Sequence, residues 1–227
     1  MPGNGHSNDP RETDRARMVT LQIAARGVRD PETLRAMATV PRERFVPHHL
    51  QHRAYEDGAL SIGRGQTISQ PYIVARSTAA LELDRWRSAN PGTRPRVLDV
   101  GTGSGYQAAV LAEMGADVTS IEFDRQLAAA ARERLAALGY AVKVVQGDGG
   151  DGYAPSAPYA GIVVAAAAPD VPPPLLGQLA AAGTLVIPIG VREHQMLTAV
   201  TVAGDRVDEE PLEPVVFVPL LGRYGFR

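Results

Sequence analysis

The residues best placed to do chemistry lie in one run: Val97-Leu98-Asp99-Val100-Gly101-Thr102-Gly103-Ser104-Gly105-Tyr106. An apolar strand pattern enters three glycines at alternate positions, and a helical pattern follows. Glycine lets a backbone turn sharply and lets a ligand approach with no Cβ in the way. In open α/β folds, ligands sit at the carboxyl edge of the sheet. Seventeen residues after Gly105, Glu122 ends the next strand pattern. A carboxylate there can accept hydrogen bonds from both hydroxyls of a ribose. A dinucleotide site needs G-x-G-x-x-G, but Tyr106 stands where the third glycine would be. An NAD-dependent dehydrogenase therefore fails on glycine spacing. The plain alternative is a glycine-rich turn with no ligand.

The G-x-G-x-G spacing, with Asp99 ahead of it and Glu122 on the next strand end, resembles the S-adenosylmethionine-dependent methyltransferases. The resemblance implies S-adenosyl-L-methionine as co-substrate and no metal. Its donor site would be built from Asp99, Gly101, Thr102, Gly103, Gly105, Tyr106 and Glu122. In that fold the loop Val145-Gln146-Gly147-Asp148-Gly149 lies beside the base. Asp148 would accept a hydrogen bond from an adenine amino group, with Gly149 next to it. A turn aspartate beside glycine is the competing reading of Asp148.

A donor site does not identify an acceptor. The irregular stretch Ala54-Tyr55-Glu56-Asp57 and Gly65-Gln66-Thr67-Ile68-Ser69-Gln70-Pro71 does more. These runs, with Val40-Pro41-Arg42-Glu43-Arg44-Phe45-Val46-Pro47, Ala166 to Pro169, Leu185 to Gly190 and Phe217 to Leu220, closely resemble the protein-L-isoaspartate O-methyltransferase family. The likeness runs in order from about Asp14 to Gly222. It implies methyl transfer to the α-carboxylate of L-isoaspartyl residues in damaged proteins and peptides. The ester would then close spontaneously to a succinimide, whose hydrolysis returns some normal aspartyl bonds. The family's hydroxyl residue maps onto Ser69, the implied catalytic residue, with Thr67, Ile68 and Gln70 as substrate-binding neighbours. The chain departs from the family pattern at Ala160 and Ala165, both expected near the donor site.

This chemistry asks little of the side chains. An acceptor carboxyl with an unperturbed pKa of about 4 is ionised at neutral pH, so no general base is required. The site must align the reacting atoms at about 3 to 3.5 Å and keep water from solvating the anion. Ser69 then acts as an orienting donor, with the N-cap of the next helix as its alternative or additional role. No histidine stands ready as its partner: His48, His49 and His52 cluster in a polar segment and His194 falls in a turn.

The elements that must position these residues can be read from periodicity. Met18, Leu21 and Ala25 predict a helix from about Thr13, closed by Gly27. Asp30-Pro31 opens a second helix as N-cap and first residue, and Pro41 stops it. Pro71 opens a helix to about Leu83, and Asp84 to Pro95 reads as loop. Strands at 96–100, 117–122, 141–146, 162–165 and 184–189 alternate with helices at 104–114, 125–138 and 174–181. That alternation predicts parallel βαβ units in an open sheet with helices on both faces. Met196 to Val202 and Val215 to Leu220 are strand-like without an intervening helix and predict an antiparallel edge pair. The fold class is α/β: a Rossmann-like class I methyltransferase sheet with an N-terminal helical extension and antiparallel C-terminal edge strands. One domain spans 13–227, divided into a helical, substrate-binding part (13–95), a donor-binding core (96–190) and C-terminal strands (191–227). The polar residues 1–12 are expected to be disordered.

Composition narrows the alternatives. The 227 residues include no cysteine, which excludes disulfide scaffolds, thiolate metal sites and cysteine nucleophiles. The net charge of −2 argues against a nucleic-acid partner. Lys143 is the single lysine among 23 basic residues, which disfavours Schiff-base chemistry. No apolar run reaches the length of a membrane helix, and the N-terminus lacks a signal-peptide core, so a cytoplasmic monomer is expected. Two other functions stay open. One is a carboxyl methyltransferase acting on normal aspartate in a modified peptide. The other is a non-catalytic binding protein of the same fold.

Overall fold

The computed structural model describes residues 10–204 and 206–226. Helices α1 (Pro10–Arg17) and α2 (Pro31–Thr39) open the chain, and a π-helical stretch, Met18–Ile23, extends α1. Asp30 caps α2 by accepting the Thr33 N–H at 2.7 Å, with Pro31 at the first helical position. A short hairpin follows, β1 (Leu60–Gly63) and β2 (Gln66–Ile68). Arg64 and Gly65 at its turn both have positive φ, 57° and 72°, as the tight turns that match strand twist require. Then come α3 (Pro71–Ala79) and α4 (Leu83–Ala89).

The core alternates regularly: β3 (Arg96–Val100), α5 (Tyr106–Glu113), β4 (Asp117–Glu122), α6 (Arg125–Ala137), β5 (Val142–Gln146), β6 (Tyr159–Val164), α7 (Pro173–Leu176) and β7 (Leu179–Val191). Strands β8 (His194–Ala203) and β9 (Arg206–Val215) finish a seven-stranded sheet ordered β5-β4-β3-β6-β7-β8-β9. The first five strands of that order pair in parallel, and β7, β8 and β9 pair antiparallel. The chain order reverses at β3, which lies between β4 and β6, so a crevice opens at the carboxyl ends of β3 and β6. Val97, Leu98, Ile162, Val163 and Val164 are all buried, because helices cover the central strands on both faces.

Several expected boundaries shift for identifiable reasons. Residues 1–9 of the expected disordered tail lie outside the described residues, whereas Arg11 and Glu12 already belong to α1. The helix opened by Pro71 stops at Ala79. Glu82, at φ 49°, starts α4 inside the expected loop, where Leu83 and Trp86 sit three apart and bury one face. The helix expected over 174–181 is a single turn: Gly177 follows it, and Leu179 pairs with Tyr159 to begin a thirteen-residue strand.

The edge pair also differs. The partner of β8 is the charged run of β9, exposed at the sheet edge; of the expected Val215 to Leu220 only Val215 pairs with β8, opposite Gln195. Residues 216–220 instead turn back over the crevice, where Ala167 N–H donates to Val218 O at 2.8 Å and Leu220 N–H to Ala167 O at 2.7 Å.

Candidate active site

The glycine loop takes the shape its sequence demands. Gly101, Gly103 and Gly105 have φ of 91°, 51° and 92°, a region that side chains other than glycine rarely enter. At Gly101 the conformation alone calls for glycine, since a Cβ would meet Ala165 at an ordinary 3.6 Å; one on Gly103 would sit 3.4 Å from Ile62 of the hairpin, and one on Gly105 would press Leu135 at 3.2 Å. The open side of the loop faces a cavity of about 800 Å³. Gln66 to Ser69, Gly101 to Ser104, Tyr106, Gln107, Ile121 to Phe123, Gly149, Ala165, Ala166 and 218–221 line it.

Glu122 ends β4 with its carboxylate held firmly. Its Oε2 accepts the Gly103 N–H at 2.8 Å and its Oε1 accepts the Asp124 N–H at 2.9 Å. Each oxygen keeps a lone pair for a further donor. Phe123 follows, 47% exposed and on the cavity wall, where it offers an apolar face beside the carboxylate. Sequence reasoning missed Phe123. Its one available signal is an aromatic residue directly after the acidic strand end.

Asp99 lies behind the loop and not in the cavity. It is fully buried, and its Oδ2 accepts from Ser120 Oγ at 2.7 Å while Oδ1 has no partner. When Asp99 is ionised, Ser120 gives it its one hydroxyl proton, and Thr102 is then the donor in the 2.5 Å Thr102–Ser120 contact. Burial pushes the Asp99 carboxyl up to about 7; the Ser120 hydrogen bond opposes the shift and the nearby Glu122 charge adds to it. Asp99 thus braces the floor of the loop through two hydroxyls.

Asp148 is held by backbone donors. Its Oδ1 accepts the Gly150 N–H at 2.9 Å and its Oδ2 accepts the Arg223 N–H at 2.8 Å, which leaves each oxygen a lone pair. A Cβ at Gly222 would stand 2.2 Å from the same carboxylate. Asp148 is not among the residues on the cavity wall, and it anchors the C-terminal segment beside the cavity. Its neighbour Gly149 does line the wall, packed so tightly that a Cβ there would meet Val100 Cγ1 at 2.4 Å. Of the two departures from the family pattern, Ala165 lies on the cavity wall. Ala160 sits at the amino end of β6, next in sequence to Gly161, which pairs with Val97 near the start of β3. It is therefore at the far end of the sheet from the site.

The Thr67-Ile68-Ser69 run forms the opposite wall. The hairpin that carries it is fastened over the cavity: Arg64 donates to Asp124 Oδ2 and to Gln126 Oε1, both at 2.6 Å. Ile68 is buried, while Thr67 and Ser69 face open space. Ser69 does not cap α3. Gln70 occupies the cap position with no side-chain capping bond, and Ser69 Oγ has no hydrogen-bond partner among the described residues. A second cavity of about 630 Å³, bounded by Ala59, Thr67, Ser69, Gln70, Ile73 and 214–217, lies on the other side. Thr67 and Ser69 belong to both cavities. Gln70 turns outward, donating to Asp57 Oδ1 at 2.7 Å. His48, His49, His52 and His194 are exposed, and none reaches either cavity.

Comparison with known proteins agrees with this geometry. The sequence model of the protein-L-isoaspartate(D-aspartate) O-methyltransferase family matches residues 13–225. A protein-L-isoaspartate O-methyltransferase of Methanoregula boonei is 51% identical over 219 residues, covering 96% of this chain and 97% of its own. One from Methylorubrum populi is 51% identical over 212 residues, covering 93% and 96%. A solved protein-L-isoaspartate O-methyltransferase superposes with a TM-score of 0.80 at 26% identity, covering 93% of this chain and 67% of that one. Another, from Plasmodium falciparum in complex with S-adenosyl-L-homocysteine, gives 0.73 at 25% identity, covering 91% and 98%. The glycine loop, the braced Glu122 and the Ser69 wall are thus set in a chain that belongs to the protein-L-isoaspartate(D-aspartate) O-methyltransferase family.

Proposed function

We propose that this protein transfers a methyl group from S-adenosyl-L-methionine to the α-carboxylate of L-isoaspartyl residues in damaged proteins and peptides, and so starts their repair. The observation that carries the reading is the meeting of two cavities at Thr67 and Ser69, with an unpartnered Ser69 hydroxyl between them. The cavity at the glycine loop suits the donor. Its glycine floor admits close approach, Glu122 can accept from ribose hydroxyls, and Phe123 with Gly149 can flank a flat base. A bound sulfonium donor supplies an already activated methyl group. The chain's own task is then placement.

The second cavity suits the peptide. Its walls mix polar and apolar groups and include the Pro214 to Phe217 backbone, against which an extended chain can lie. Ser69 Oγ donates to the acceptor carboxylate and fixes one oxygen toward the donor cavity. Thr67 and Ile68 shape the narrow passage. No group on the wall needs to remove a proton, because the acceptor is ionised at neutral pH. The C-terminal segment 218–221 and the hairpin keep water away from the anion, which leaves it a better nucleophile. The same reading takes the protein as a cytoplasmic monomer, which sedimentation and cell fractionation check.

The test supplies labelled S-adenosyl-L-methionine and two synthetic peptides, one isoaspartyl and one normal aspartyl. Label on the isoaspartyl peptide alone supports the proposal. Label on the normal peptide transfers the chain to the alternative carboxyl methyltransferase, and label on neither leaves a binding protein.

A further inference from the structure

Arg42 is the largest fully buried side chain of the molecule, and it forms no ion pair among the described residues. Its Nε donates to Ala54 O at 2.8 Å and its Nη2 donates to Ser69 O at 2.8 Å. Nη1 has no partner. The guanidinium stands 4.9 Å from the centroid of the Tyr106 ring, which lines the donor cavity, and Phe45 meets the same ring edge-on at 5.5 Å. Burial lowers the pKa of Arg42 to about 10, with Tyr106 and Tyr55 opposing the shift, so the group stays charged at neutral pH. A buried cation without a counter-ion is costly, and an apolar side chain of similar volume would fill the space at lower cost. Arg42 touches neither cavity, yet it holds the backbone of the residue that divides them.

We infer that Arg42 is a positioning residue for the acceptor carboxylate: it fixes Ser69 through its carbonyl and places a permanent positive charge behind the acceptor wall. The inference rests on the isoaspartyl reading above and deepens it. A charge-assisted bond to the Ser69 carbonyl fixes the peptide plane from which the Ser69 hydroxyl is presented. The same charge, screened little because it is buried, favours an anion on the other side of that backbone. Stacking on Tyr106 ties the acceptor wall to the donor wall, so the two halves keep their relative placement.

The experiment compares wild type, Arg42→Gln and Arg42→Lys in steady-state kinetics on the isoaspartyl peptide, in S-adenosylhomocysteine affinity and in thermal unfolding. Arg42→Gln is expected to lower kcat/KM for peptide about 100-fold, the size of effect that misplacement by an ångström produces, with S-adenosylhomocysteine affinity within about twofold of wild type. Arg42→Lys keeps a charge, but burial brings its pKa down from about 10.4 into the assay range. Its kcat/KM should therefore fall as pH rises from 7 to 9.5, where wild type shows no such fall. A purely structural role would not create that pH limb.

Should Arg42→Gln fail to fold, the Arg42→Lys profile decides alone. A flat profile, a loss of donor affinity in step with turnover, or failure of Arg42→Lys itself to fold overturns the inference. A wild-type enzyme inactive on the isoaspartyl peptide would instead sink the functional reading.

Discussion

The two walls of the site are built on different principles. The donor wall is backbone set at the edge of a regular sheet: three glycines at positive φ, a strand-end carboxylate and a bracing aspartate behind them. The acceptor wall is an irregular hairpin and loop that no sheet supports. It holds its shape because two arginines pin it, Arg64 from above through Asp124 and Gln126, and Arg42 from below through Ser69 O. A donor common to many reactions can be met by a rigid, general cradle. Selection among acceptors falls to the wall whose side chains are easier to vary.

That division can be broken from either side. The largest effect is expected from Gly103→Val, which puts a β-branched residue at φ 51° and drives its Cβ to 3.4 Å from Ile62. Donor affinity should fall at least about 100-fold by titration calorimetry with S-adenosylhomocysteine, because strain at the loop displaces the floor. Affinity like that of wild type would show that the glycine conformation is not what the donor needs. Next is Ser69→Ala, expected to lower kcat by about 100-fold, as loss of one oriented donor does, with donor affinity within about twofold. Turnover that survives the change removes Ser69 from its assigned role.

Arg64→Ala should act more gently, since the Arg64–Asp124 pair is partly solvated. Donor release should quicken about threefold in stopped flow, and its dependence on salt should shrink. A release rate that stays salt-dependent would place the fastening elsewhere.

The remaining effect, on stability and not on turnover, belongs to Asp99. Its carboxyl titrates at about 7 when folded and near 3.9 when unfolded. Between those values the folded chain holds the extra proton, so stability falls as pH rises from about 4 to about 7 and levels off beyond. Asp99→Asn should flatten that slope in melting temperatures taken at pH 5 and pH 8. Parallel slopes would mean that another group carries it.

The donor wall was legible in the sequence because its determinants are local. The strand 96–100, the glycine spacing and Glu122 all fall within one βαβ unit, and the strand limits at 96–100 and 117–122 agree residue for residue with β3 and β4. What sequence reading missed is held by partners far along the chain. The Asp148 carboxylate also accepts the N–H of Arg223, 75 residues away, and that pairing leaves no local trace. Arg42 stood in a family motif with no visible task, because its acceptors are two backbone carbonyls, which every residue possesses. The hairpin 60–68 has no period long enough to detect. Val216 to Leu220 has the apolar content of a strand, but β9 already fills the sheet edge, so the segment turns back along Ala167 and buries Leu220 alone.

The arginine-rich composition also finds partial use. Arg15, Arg42, Arg87, Arg94, Arg132 and Arg134 all donate to backbone carbonyls, tying helices, strands and turns to one another. A forked planar donor suits that work better than a single ammonium does.

The closing of the cavity by residues 218–221 has a consequence for how the protein comes into being. A chain emerging from the ribosome displays the glycine loop, Glu122 and Ser69 well before Val218 to Leu221 appear. Until those four residues are free to fold back onto Ala167, the cleft stands open on one side and water reaches its floor. Closure of the site therefore waits on residues made after every group it encloses.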